Sequence, residues 1–96
     1  MSDAAVRWAA SRHPPNPDDK LVLWALADAC NGRGDTAWPS VAALSDFSGL
    51  NRKMIINSLA RLVRAGLIAD TGDRVGKTGQ VKVWRLALKA SPIGDR

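Results

Sequence analysis

The sequence predicts a mainly α domain closed by a small β-hairpin, an α+β fold built on a three-helix core. Three observations carry this expectation. Three stretches with helical apolar spacing each begin at a good capping residue: Asn16, Ser40 and Asn51. Strict alternation replaces helical spacing in VKVWRL, residues 81–86. Between the last helix and that alternating run lies a stretch with Gly72, Gly76 and Gly79, the composition of a hairpin tip.

The chain opens with Ala4, Ala5, Trp8 and Ala9 spaced for a short helix with one apolar edge, within residues 1–13. His13, Pro14, Pro15, Asn16 and Pro17 then break it, because prolines remove backbone donors and hold their predecessors extended. Asn16 caps the next helix, Pro17 suits its first position, and Asp18 and Asp19 meet the positive end of its dipole. That helix continues from Lys20 to Asn31, with Leu21, Leu23, Trp24, Leu26, Ala27 and Cys30 as the expected buried face and Gly32 as the stop. NGRGD, residues 31–35, reads as a loop, and Thr36–Trp38 as a short extended segment before Pro39. Ser40 caps Val41–Phe47, whose Val41, Leu44 and Phe47 keep helical spacing. Ser48, Gly49 and Leu50 form a tight turn, with Leu50 pinning the angle to the next helix.

That next helix, Asn51–Ala65, is the centre of the reading. Ile55, Leu59, Leu62 and Val63 fall on one side, and Lys53, Asn57, Ala60, Arg61 and Arg64 on the other. Gly66 ends it. Leu67–Ala69 begin an extended segment, residues 70–80 form the tip, and Val81, Val83 and Arg85 alternate against Lys82, Trp84 and Leu86. Trp8, Trp24, Trp38 and Trp84 are expected in the core rather than as stacking platforms for bases, although alternation puts Trp84 opposite Val81 and Val83.

Ninety-six residues suffice for one small core, so no internal domain boundary is expected. The first fifty residues carry four Lys and Arg against six Asp, whereas residues 51–96 carry ten against three. Positive charge concentrated in one part of the chain is the footprint of a polyanion-binding surface. No stretch reads as a secretion signal or membrane span, and the single Cys30 has no internal disulfide partner. His13 and Cys30 have no metal-ligand partners at useful spacing, and the chain has no glutamate, so neither a metal site nor a catalytic acid–base pair is expected. GKT within TGDRVGKTG invites comparison with a phosphate-binding P-loop. Thr71 stands where that loop needs its first glycine, and no helix follows, so neither nucleotide nor cofactor is expected.

With these residues set out, the chain resembles the winged helix-turn-helix domains of phage and plasmid replication initiators and prophage regulators. The likeness rests on KLVLWALADACNGRGDTAWPS, residues 20–40, on the framework of Leu44, Gly49, Leu50, Leu59, Leu62, Gly66, Leu67 and Ile68, and on VKVWRL. It spans roughly residues 8–86. The resemblance implies an N-terminal arm or short helix over 1–15, the winged domain over 16–86 and a tail over 87–96. It implies that the second motif helix enters the DNA major groove while the hairpin, the wing, touches neighbouring backbone or minor groove.

Base contacts are then expected from Arg52, Lys53, Ile56 and Asn57, since Arg and Lys suit guanine, Asn suits adenine and an apolar side chain suits a thymine methyl. Backbone contacts are expected from Ser40, Asn51, Arg61, Arg64, Arg74, Lys77, Thr78 and Lys82. The expected partner is double-stranded DNA, with a second copy of the chain or a replication or transcription protein as further candidates. No enzyme activity, membrane or small-molecule substrate is expected. The setting is the cytoplasm of a bacterial or phage-infected cell. The competing reading is a protein-binding winged module that holds an acidic partner through the basic face, Ile56 and Met54.

Overall fold

A computed structural model describes residues 3–30 and 34–88. In chain order the elements are α1 (Asp3–Ser11), α2 (Pro17–Ala29), β1 (Thr36–Ala37), α3 (Val41–Ser48), α4 (Arg52–Arg64), β2 (Ile68–Val75) and β3 (Val81–Leu86). The three strands form one antiparallel sheet in the order β1-β3-β2, so the hairpin is joined by a short third strand from the middle of the chain. The expected α+β architecture is the one observed, with α1 added to the three helices of the core.

The helices begin where local chemistry places them. The Asn16 side chain accepts from the Asp18 amide, Ser40 Oγ from the Ala43 amide, and Asn51 Oδ1 from the Met54 amide, each at 2.9–3.0 Å. α2 ends at Ala29, with Cys30 already extended; the expected stop at Gly32 lies outside the described residues. At the end of α4, Gly66 (φ 77°) donates to the Val63 carbonyl and Leu67 to the Leu62 carbonyl. This 6→1 and 5→2 pair closes the helix and turns the chain into β2.

Packing differs from the expected pattern around the tryptophans. Ala5, Trp8 and Ala9 of α1, Val22, Leu23, Leu26 and Cys30 from α2 and its end, Leu44, Ile55, Leu62, Trp84 and Leu86 belong to one buried cluster. Trp24 is 48% exposed and Trp38 45%, so these two are surface residues, not core. Leu21 is also exposed, and Val22 and Ala25 take the inner side instead. α2 is apolar on almost every face, and α1, α3 and α4 together decide which face is covered. Phe47 and Val63 are likewise exposed, with Phe47 set edge-on to Trp24 at 6.4 Å between ring centres.

α1 is tied to α2 by Lys20, whose ammonium donates to the Ala10 and Arg12 carbonyls at 2.8 and 2.7 Å and lies 3.1 Å from His13 Nδ1. A cation there complements the negative end of α1. β2 runs further than the sequence pattern suggests, through Val75, and its pairing with β3 shifts register between Asp70 and Arg74. The Asp70 carboxylate accepts the Gly72 amide inside that irregularity. Of the tail expected over 87–96, Ala87 and Leu88 pack against the core, and the rest lies outside the described residues.

Candidate nucleic-acid interface

The angle between α3 and α4 is held by a dense set of turn bonds. The Gly49 amide donates to the Ser45 carbonyl, Ser45 Oγ to the Leu50 carbonyl, and Ser48 Oγ to the Leu44 carbonyl while accepting from the Leu50 amide. Leu50, buried in the core, anchors the same turn. A helix–turn–helix fixed at its corner presents α4 as a rigid rod.

α4 buries Ile55, Ser58, Leu59 and Leu62. The stripe opposite these, at 3–4 residue spacing, consists of Lys53, Asn57, Ala60 and Arg64, all exposed. Arg52, Lys53 and Arg64 have no anionic partner among the described residues. Ile56 stands exposed beside Asn57, on the flank that faces the wing.

Arg61 departs from its expected role. Its guanidinium donates to the Asp19 carboxylate through Nε and Nη2, at 2.8–3.1 Å, and to Ser58 Oγ at 3.2 Å. Asp19 is 4% exposed. The hydrogen bond to Asp19 is the main cause of a raised Arg61 pKa. Arg61 therefore fastens α4 to α2 and is not a free cation for phosphate; a buried carboxylate requires such a partner.

Between α4 and the wing runs an open groove of about 940 Å³. It brings together Ser40, Arg52, Ile56, Arg64, Thr78 and Lys82, six of the expected contact residues. Lys53 and Asn57 stand outside it on the outermost line of α4, and Asn51, Arg74 and Lys77 are also not part of its wall. The cap oxygens of Ser40 and Asn51 are engaged, yet the Ser40 hydroxyl proton and the Asn51 amide protons have no acceptor among the described residues and remain available as donors. On the wing, Arg74 pairs with Asp70 at 3.1 Å across an exposed i,i+4 spacing, and Lys82 lies 5.6 Å from the centre of the Trp84 ring. The Gly72 amide and then Arg74 hold the Asp70 carboxyl below its ordinary range. Lys77 and Thr78 are exposed at the tip without a charged partner among the described residues.

Sequence reading missed Asp19, whose contact with Arg61 spans 42 residues, and Asp70, an acidic group in the groove wall. The only sequence signal for the first was a lone cation placed off the centre of the basic stripe. Among the described residues no group of three or more His, Cys, Asp or Glu could hold a metal ion. Burial, and then Asp35, push the Cys30 thiol up to about 11. No helix among the described residues is long and apolar enough to cross a membrane.

In comparison with known proteins, a family model described as a helix-turn-helix domain aligns with residues 16–68. That span contains α2, β1, α3, the turn and all of α4. No curated protein and no solved structure matches the chain significantly.

Proposed function

Because the chain belongs to the helix-turn-helix domain family, we propose that it binds double-stranded DNA in a sequence-specific manner, with α4 in the major groove and the wing against the adjoining backbone. One observation carries the reading: the outermost stripe of α4 bears Lys53, Asn57 and Arg64, and neither cation has an anionic partner among the described residues. Arg52, Lys53, Ile56 and Asn57 meet base edges. Ser40, Asn51, Arg64, Arg74, Lys77, Thr78 and Lys82 meet phosphates. For Arg74 this requires exchanging an exposed bond to Asp70 for one to DNA.

The unit that does this is residues 16–86. Its setting is replication initiation on a phage or plasmid origin, or transcriptional control of a prophage gene, in a bacterial cytoplasm; the resemblance of residues 20–40 supports that setting. The test is fluorescence-polarisation binding of the purified chain to a random duplex and to DNA flanking its own gene, at several salt concentrations. Salt-sensitive binding that prefers the flanking DNA is expected. Absence of binding to both at low salt defeats the proposal.

A second reading draws on the exposure of Met54 and Ile56, which suits an acidic protein partner. Lys53→Ala with Asn57→Ala abolishes duplex binding under the first reading. Ile56→Asp that spares duplex affinity but loses a protein partner favours the second.

A further inference from the structure

We infer that α4 reads an A·T-rich step, packing thymine 5-methyl groups on Ile56 and Ala60 beside an adenine edge held by Asn57; the inference rests on the duplex-binding reading above. The outward surface of α4 is divided lengthwise. Lys53, Asn57 and Arg64 are the polar members of the outermost line, Ile56 and Val63 form an apolar strip beside it on the wing side, and Ala60, on the outermost line itself, extends that strip; all three apolar residues line the groove. Ile56 is 45% exposed and Val63 42%. Neighbouring apolar groups in water on the face that meets a ligand gain free energy when the ligand offers apolar surface in return.

In the major groove thymine alone presents a methyl group, so such a stripe tells thymine from cytosine at the same position. Ala60 lies on the outermost line of the helix and carries only a Cβ. A long side chain there would hold the helix away from the base edges; Ala lets it approach. Asn57 follows Ile56 directly and points roughly 100° around the helix axis from it, which suits the two members of one base pair or two neighbouring pairs. Arg52 and Arg64, both in the groove wall and free of anionic partners among the described residues, border the apolar stripe with cations. Apolar contact flanked by cations matches base methyls in the groove of a polyanion better than it matches an apolar protein surface.

The experiment uses the full chain and a duplex selected by it from a random pool. Each thymine is replaced in turn by deoxyuridine, which removes the methyl group and nothing else. At one or two positions affinity should fall about four-fold per methyl, the equivalent of one buried methylene-sized group. Ile56→Ala, a change at an exposed site, should leave the melting temperature unaltered and lose the response at one of those positions. Duplex binding that is indifferent to deoxyuridine everywhere overturns the inference while leaving the duplex reading intact. So does an Ile56→Ala variant that responds as the wild type does at every position. If no duplex binds at all, the duplex reading falls and this one with it.

Discussion

Two arginines one turn apart on α4 should behave in opposite ways when removed, and the difference tests the whole assignment of the basic face. Arg64 is exposed without a partner among the described residues, whereas Arg61 is bound to Asp19 through two nitrogens. Arg52, Lys53, Arg64, Arg74, Lys77 and Lys82 are the cations of α4 and the wing proposed to meet DNA. If four or five of them neutralise phosphates, log affinity falls against log salt with a slope of roughly −3.5 to −4.5, about −0.9 per phosphate. Arg64→Ala and Lys77→Ala should each make the slope shallower by about 0.9, with little change in melting temperature. Arg61→Met should do the reverse, leaving the slope in place and lowering the melting temperature, because Asp19 is left buried and unpaired. Polarisation titrations from low to moderate salt give the slopes, and thermal melts followed by circular dichroism give the stability. A slope change of about 0.9 for Arg61→Met, with no loss of stability, would refute the reasoning: it would mean that the Asp19 pair opens and Arg61 turns to DNA.

Three other outcomes are expected. Leu62→Ala, at a site 1% exposed, should cost about 2–5 kcal/mol and lower the melting temperature by at least about 8 °C. Ser40→Ala removes the acceptor for the Ala43 amide and should cost about 1 kcal/mol in urea denaturation, while also weakening duplex binding if the hydroxyl reaches a phosphate. Cys30 ionises at about 11 in the folded chain against an ordinary 9.0, so the unfolded chain releases its thiol proton first. The stability this contributes is complete below pH 9 and is lost as pH rises toward about 11. Urea titrations across that window, with Cys30→Ala as the control whose pH dependence is flatter, measure it.

What could be read from the sequence was local. Asn16, Ser40 and Asn51 announce their helices because a cap acts on amides two or three residues away. The inner and outer faces of α4 were legible because polar residues mark its outer side. α2 lacks such marks: Leu21 through Ala27 are all apolar, so only the helices packed around it determine that Val22 and Ala25 turn inward and Trp24 outward. Val63 was misplaced for a related reason, since it sits at the edge of the buried stripe where the wing leaves it uncovered. The length of β2 was hidden because Asp70–Val75 has poor intrinsic strand preference and gains its structure from pairing with β3. Among the candidate contacts, sequence reasoning placed Arg61 by its residue type. Its role depends on a partner two helices earlier in the chain, which no spacing rule reveals.

The bond between Asp19 and Arg61 also constrains how this chain can change over time. Losing either partner alone strands a charge, at the buried end or on the flank of α4, so a lineage cannot pass easily through the single exchange. Positions 19 and 61 should therefore drift together among related chains, as an intact ion pair, a reversed one, or two apolar side chains of matching volume. Lys53, Asn57 and Ile56 have no such bond among the described residues and are free to diverge one at a time. If α4 reads DNA as proposed, a domain built this way can acquire new target sequences quickly on one side of a helix while the other side keeps the same two residues matched.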